Sequence, residues 1–409
     1  MSESVEVIIV GGGSVGAALA CALGTANVSV ALVEANRPVE QWPADRIDQR
    51  VFAITRASEK LFTALGVWDG MVLRGVSPFR EMHVWDAGGQ GAVHFDCAEI
   101  GEPVLGHIIE HRVIQAALWT RLSQLPSVQQ LCPAQVQALE REPGRVTVRI
   151  RGGRSLSAAL VVGADGLHSQ IRSWADLPVK IRDYQQQSIV AIVTTEAAHR
   201  DTAWQRFSAT GPLAFLPLQD GRCAIVWTTT PGDAERLLAL QAPEFCSELG
   251  VAFAHALGEI TQCGPRDTFP LQRLHAGRYV TDRIALAGDA AHAIHPLAGQ
   301  GVNLGLLDAA ALAEVLIGAK AKGRDLGGLT VLRRYERWRK GDNLGMLAAM
   351  DGFKALFGSG LPPLPLMRNL GMEMVDRMAP VKNLIMRYAS GLSGDLPQLA
   401  RGIPIITGS

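Results

Sequence analysis

The chain opens with Val7-Ile8-Ile9-Val10, an unbroken apolar run that predicts a strand over Val5–Val10 buried on both faces. Small residues over Ser14–Gly24 predict a closely packed helix, and Val28–Val33 predicts a second strand. Strand, helix, strand in that order is the opening unit of a dinucleotide-binding fold. Helical spacing returns over Arg56–Leu65, ending at Gly66, and over Arg112–Leu125, closed by Pro126. Phe79–Phe95 reads as β structure around the turn Gly88-Gly89-Gln90-Gly91. A hairpin is predicted for Val146–Ile150 and Leu156–Val162 about Arg151-Gly152-Gly153-Arg154. Short β runs at Ile189–Thr195, Leu213–Leu218 and Cys223–Thr229 mark a second domain over roughly 180–275. Ile284–Ala287 is a further buried strand, leading towards the Ala- and Leu-rich helix Val302–Ile317. Beyond about residue 330 the chain turns helical and methionine-rich, with breaks at Gly358–Pro363 and at Pro380.

Composition narrows the class. A chain of 409 residues buries a full core and divides into two or three domain-sized units. Lys+Arg and Asp+Glu are both 39, so no global field recruits nucleic acid or an anionic membrane, although a local basic patch is compatible with that sum. The six cysteines show neither CxxC pairs nor zinc-ligand spacing, which fits the reducing cytosol and a cytoplasmic location. Val7–Val33 carries no charge, yet it is preceded by Glu3 and Glu6 rather than a basic leader, and three glycines interrupt it. It reads as a buried strand, turn and helix rather than a signal or spanning segment.

Two glycine-rich marks almost 280 residues apart carry the chemistry. In Gly11-Gly12-Gly13-Ser14-Val15-Gly16, the glycines at 11, 13 and 16 have the spacing for a tight turn, close approach to a pyrophosphate and close helix packing. The helix from Ser14 aims free N–H groups and its positive end at phosphate. Glu34, about 20 residues on at the end of the second strand, is placed to accept hydrogen bonds from a ribose diol. The second mark is Gly288-Asp289-Ala290-Ala291-His292, followed by His295-Pro296-Leu297-Ala298-Gly299-Gln300-Gly301-Val302-Asn303. There Asp289 can reach the sugar-alcohol chain of a flavin. Gly299 to Asn303 open a helix whose N–H groups would face the ring edge where negative charge collects on reduction. One extended cofactor held at both ends, a flavin, accounts for the pair. Between them, Val161–Arg172 ends a strand in Asp165-Gly166 and starts a helix carrying Ser169 and Arg172, which alone reads as a capped helix. His292 and His295 invite a metal, but Pro296 follows at once and no third ligand is apparent, so they are read as turn or cap histidines. His107-Ile108-Ile109-Glu110-His111 matches an H-x-x-E-H zinc pattern. That pattern needs a helix, and Gly101-Glu102-Pro103 and Gly106 make the approach extended.

In this order and spacing the three motifs resemble the single-component (class A) flavoprotein aromatic hydroxylases. Arg50-Val51-Phe52-Ala53-Ile54, Gly211–Leu218, His295–Leu307, Tyr335–Lys340, Met350–Lys354 and Ala379–Asn383 narrow the resemblance to the ubiquinone-biosynthesis hydroxylase family, over nearly the whole chain. The resemblance implies an α/β fold. A Rossmann-like FAD-binding domain of the p-hydroxybenzoate-hydroxylase type would comprise 1–75, 101–180 and 276–330. An interleaved α+β substrate domain built on a β-sheet would comprise 76–100 and 181–275, with a C-terminal helical region over 331–409. It implies that NAD(P)H, a transient co-substrate without its own domain, reduces FAD. O2 then adds to the reduced ring, and a flavin C4a-hydroperoxide hydroxylates a polyprenylphenol or quinone precursor. Carried over by position, Gly11, Gly13, Ser14, Gly16 and Glu34 hold the ADP half of FAD, and Arg50 and Arg112 approach the flavin and its phosphates. Asp165, Gly166 and Arg172 serve the pyrophosphate side and NAD(P)H. Asp289 binds the ribityl chain, while His295, Pro296, Gly299, Gly301, Val302 and Asn303 lie at the ring. No residue is assigned a catalytic step, since the flavin performs the chemistry.

Phe215, Pro217 and Trp227 are the expected substrate-pocket residues, and core packing accounts for the same three. Met367, Met372, Met374, Met378 and Met386, set among Arg368, Arg377, Lys382 and Arg387, suit helix packing onto the enzyme body. Peripheral contact with a membrane or with other ubiquinone-biosynthesis proteins is the second reading, behind that packing. Homo-oligomerisation stays open. Rival readings are hydroxylation of another hydrophobic aromatic, an isoprenoid reductase, a flavin-bound scaffold, and a halogenase, whose W-x-W-x-I pair is absent.

Overall fold

The computed structural model describes residues 3–43, 47–293, 300–358 and 364–405. Its first sheet runs Val280–Thr281, Ile284–Leu286, Ser155–Gly163, Glu3–Val10, Val30–Val33 and Val128–Leu131, with the hairpin Val136–Glu142/Arg145–Ile150 joined to the Ser155–Gly163 strand. Glu3–Val10 pairs in parallel with both neighbours, Val10 lying opposite Val33 and Gly163. Both faces of these central strands are covered, so Val7–Ile9 and Val30–Val33 carry no polar alternation. The helix Ser14–Thr25 has no charged residue and is buried at every position from Ser14 to Gly24 except Val15. It packs on one side against His111–Leu122 and on the other against Gln300–Lys320. The stretch Gly301–Lys320 is long and apolar enough to cross a membrane, but it lies largely inside the protein as this core helix.

The second sheet has eight strands, in the order His292–Ala293, Ile260–Ala276, Val179–Thr195, Cys223–Thr229, Gly211–Pro217, Thr202–Ser208, Glu81–Asp86 and Ala92–Asp96. Two of them, Val179–Thr195 and Ile260–Ala276, are 17 residues long and shift register at three places. They extend well beyond the short run expected at Ile189–Thr195. One face of this sheet is packed by the helices Pro231–Ala239 and Ala242–Ala252. A small sheet of Val51–Thr55, Gly106–Glu110 and Ser77–Phe79 bridges the two larger ones. The C-terminal part is helical over Leu329–Gly358, Leu364–Arg377 and Ala379–Ala389.

Candidate active site

A cavity of about 1550 Å³ runs from the first turn of the Ser14–Thr25 helix, past the bridging sheet, to the free face of the second sheet. At its nucleotide end Gly13 caps the helix with extended backbone, and no side chain satisfies the first turn. A Cβ added to Gly13 would meet nothing within 4 Å. Beside it the Ser14 hydroxyl is buried without a partner among the described residues. Open space, free N–H groups and an orphaned hydroxyl at a helix's positive end make a cradle for phosphate. Gly11 and Gly16 serve a different purpose. Gly11 has φ +104°, a Cβ there would collide with the Ala164 carbonyl, and one on Gly16 would collide with the Gly11 carbonyl. These two let strand, turn and helix close on one another. Glu34 braces the same loop, its carboxylate accepting from the N–H of Gly12 at 2.6 Å and of Asn36 at 2.9 Å. Trp119, which the sequence reading missed, donates from Nε1 to the Gly12 carbonyl at 2.9 Å. The helix that carries it was predicted from its spacing, but no motif marked Trp119 itself.

The far end of the cofactor path is the turn at Gly288–Ala290. Gly288, at φ +61°, lets the turn lie against Val15, which also packs at Gly305. Asp289 is exposed to the cavity, and desolvation by the surrounding protein raises its carboxyl pKa against the opposing fields of His292 and Arg50. Below it, His292 Nε2 and Asp308 Oδ2 lie 2.5 Å apart. Asp308 accepts from Arg339 Nε at 3.0 Å, from Asn343 Nδ2 at 3.1 Å and from the Gly288 N–H at 3.2 Å. His292 is therefore a buried brace of the turn. Gly301 and Val302 line the cavity at the start of their helix. Asn303 does not; its side chain accepts from the Thr55 N–H at 3.0 Å and donates to the Ala53 carbonyl at 2.8 Å, clasping the helix to the bridging sheet. His295, Pro296 and Gly299 lie outside the described residues.

Arg50 lines the cavity with its guanidinium over Phe52. Arg112 also lines the cavity, over Trp42 and paired with Glu110 at 2.7 Å. His111, between them, is held neutral, its pKa pushed down to about 4 by burial and then by Arg50. His107 sits on a strand and faces Glu59 at 2.8 Å, so the H-x-x-E-H residues do not share a helical face. Gly166 lines the cavity, whereas Asp165 and Arg172 do not. Asp165 accepts from Ser169 Oγ and from the N–H groups of Gln170 and Ile171, capping that short helix. Arg172 is buried, not a surface charge, and donates to the carbonyls of Ala290 at 2.9 Å and Leu167 at 2.8 Å. Both position backbone around the site rather than touch its contents.

The substrate wall requires a correction. Phe215, Pro217 and Trp227 are absent from the cavity lining. Phe215 stacks on Phe253 with ring centroids 3.8 Å apart, and Trp227 packs near Phe245, both on the helix-covered face. Pro217 pairs with Cys223, which belongs to the same core. Strand side chains alternate, so the residues one step away, Ala214, Leu216 and Val226, face the cavity instead, with Val190 and Ile192 from the neighbouring strand. Ile385, Met386 and Ala389 of the last helix close the same chamber.

Comparison with known proteins now decides the class. Residues 4–340 match the FAD binding domain family. The chain is 41% identical over 404 residues to the ubiquinone hydroxylase UbiL of Rhodospirillum rubrum, covering 98% of this chain and 93% of that one. It is 39% identical over 391 residues to the 3-demethoxyubiquinol 3-hydroxylase of Escherichia coli, covering 96% and 100%. The chain belongs to the FAD-dependent ubiquinone hydroxylase family. Its fold is that of p-nitrophenol 4-monooxygenase PnpA from Pseudomonas putida DLL-E4, with TM-score 0.78 and 20% identity over 96% of this chain and 99% of that one. The residues present fit the family's cofactor. The open space at Gly13, the unpartnered Ser14 hydroxyl and Asp289 lie along one continuous cavity, as a group with a diphosphate and a polyol demands.

Proposed function

We propose that this chain hydroxylates the aromatic ring of a polyprenylphenol or quinone precursor in ubiquinone biosynthesis, with FAD, NAD(P)H and O2. The observation that carries the reading is the single cavity joining a phosphate cradle to an apolar sheet face. A cofactor and a hydrophobic ring share it. Bound FAD supplies electron transfer from NAD(P)H and activation of O2. Gly13 and Ser14 hold its diphosphate, Asp289 accepts from its sugar-alcohol hydroxyls, and Arg50 and Arg112 place positive charge along the path. The Gln300–Lys320 helix directs its positive end, at Gly301 and Val302, towards negative charge on the ring. Val190, Ile192, Leu216 and Val226 exclude water, which protects reactive oxygen from discharge as peroxide.

The isoprenoid tail leaves past the Ala379–Ala389 helix, whose Ile385 and Met386 line the cavity while Val381, Leu384 and Tyr388 are exposed. Leu370, Met374 and Met378 extend this exposed apolar face, and Arg377 adds exposed positive charge. In this reading the enzyme works at the cytoplasmic membrane surface, in peripheral contact with the bilayer through these helices.

The test is an absorbance spectrum of the purified protein, followed by anaerobic NADPH with and without a polyprenylphenol. Flavin bands that bleach faster with the phenol, and an oxygenated product in air, are expected. Bleaching that only another aromatic accelerates would move the activity to that substrate. A flavin that no precursor makes reducible would leave a scaffold.

A further inference from the structure

The cavity-facing side of the second sheet is largely apolar in its middle, with Thr228 and Gln205 as polar members of the lining there. Along Thr202–Ser208, Trp204 and Arg206 turn to the helix-covered side, where Arg206 donates to the Ala252 carbonyl at 2.6 Å. Gln205 therefore points the opposite way, and it lines the cavity. The sheet register places it in a transverse row with Val84, Ala214, Val226 and Val190. Next to it on its own strand, Ala203 also lines the cavity and leaves space there. Gln205 is only 6% exposed, yet its amide has no hydrogen-bond partner among the described residues and is not sealed off from the cavity. The nearest comparable buried polar group on this face, Thr228, is already paired with Ser188 at 2.9 Å.

A buried amide facing a ligand chamber is costly unless a ligand or water completes it. From this geometry we infer that Gln205 orients the substrate by hydrogen-bonding an oxygen on its aromatic ring. The inference rests on the hydroxylase reading above and assigns one residue within it. A neutral amide both donates and accepts, so it engages a ring hydroxyl, methoxyl or carbonyl without extracting a proton. The flanking alanines leave room for a planar ring, and Val226 and Val190 continue the row as apolar wall. Gln205 thus fixes which ring edge is presented to the cofactor. Sites built around a substrate's polar group reject analogues that lack it, because the amide is then stranded.

The test uses holoenzyme and two probes, 2-geranylphenol and geranylbenzene, with binding read from the flavin difference spectrum. Wild type is expected to bind the phenol more tightly than the hydrocarbon by roughly tenfold or more. In Gln205→Leu that ratio should collapse towards one, the phenol binding more weakly and the hydrocarbon more tightly than in wild type, because no amide is left stranded. Gln205→Asn keeps the amide but withdraws it by one methylene. It should lose most of the discrimination and release peroxide in place of hydroxylated product, and it carries the test if the leucine variant fails to retain flavin. Unchanged discrimination in the variants overturns the assignment alone. Wild-type holoenzyme that binds neither probe overturns the hydroxylase reading and this assignment with it.

Discussion

The two ends of the cavity are built by different means. At the nucleotide end the backbone makes the site. Gly11 and Gly16 have no room for a side chain, while a Cβ on Gly13 would meet nothing within 4 Å. At the substrate end side-chain parity makes the site, on a sheet with one face against the helices and the other against the chamber. Ala214, Leu216 and Val226 face the chamber; Leu213, Phe215 and Trp227 face the helices. Both sets are apolar, so hydrophobic pattern does not say which faces a ligand. The larger rings went to the core, where Phe215 finds Phe253, and the smaller residues went to the chamber, where space is required.

The sharpest way to break this comparison is within the glycine loop. Gly11→Ala forces a Cβ into the Ala164 carbonyl at φ +104° and should cost about 3 kcal/mol or more, enough to lose the folded protein in a thermal melt. Gly13→Val, two residues on, should leave a folded protein with no bound flavin, seen as a normal melt and a colourless sample. If Gly13→Val unfolds the chain as Gly11→Ala does, the cradle is a packing turn and not a binding site.

The brace beneath the Gly288–Ala290 turn is Asp308. Burial pushes its pKa up, but His292 and Arg339 outweigh burial and hold it below the usual carboxylate value. Its contribution to stability is therefore complete above the ordinary carboxylate pKa and is lost as pH falls through the lowered one. Asp308→Asn leaves Arg339 buried without its ionic partner and should cost about 3–5 kcal/mol at neutral pH. In urea unfolding, the gap between wild type and variant should close below about pH 4. A gap that persists into acid would show the network to be held by packing rather than charge.

At the other end, two adjacent residues sharpen the parity argument. Phe215→Ala should destabilise by about 3–5 kcal/mol while leaving KM for the aromatic substrate near wild type. Ala214→Leu should do the reverse, raising KM with little change in Tm. If both substitutions raise KM alike, the two faces are not energetically separate.

Asp289→Ala tests the join between the two ends. Removal of a hydrogen-bond acceptor exposed to the cavity should weaken FAD binding by about 1–3 kcal/mol, read by titration of the apoprotein. A fully loaded, yellow variant would detach the Gly288–Ala290 turn from the cofactor.

These contrasts also explain what was legible beforehand. The Ser14–Thr25 helix, the turn at Gly11, the close packing at Gly16 and the Gly288 turn were readable because only a few residues satisfy positive φ or close approach. Phe215, Pro217 and Trp227 were misplaced because a one-residue change of parity is silent when both faces are apolar. Asp165 and Arg172 stood in a motif of the right shape, but their work is done one layer out, as a helix cap and a latch on Ala290. Trp119 and Ala214 carry no motif, and only the folded chain brings them to the site.

The smallest effect on stability is expected on the outside of the chamber. Leu384 and Met374 are 65% and 61% exposed, and neither fills the core. The cations nearest the core on these helices are already committed, Arg368 to Asp86 and Lys382 to Glu99 at 2.8 Å. Arg377, with an 80% exposed side chain, pairs with Glu373 on its own helix at 3.5 Å, and Arg387 is a second exposed cation. Leu384→Asp combined with Met374→Ser should shift stability by no more than about 0.5 kcal/mol. Co-sedimentation with anionic vesicles should nevertheless fall, because apolar burial and basic charge together hold a peripheral helix on lipid. Turnover of a short, water-soluble prenylphenol should be unaffected, and turnover of a long-chain one in vesicles should drop. If vesicle binding survives the double substitution, the exposed face is not the membrane contact, and the chamber's opening towards the Ala379–Ala389 helix reflects packing alone.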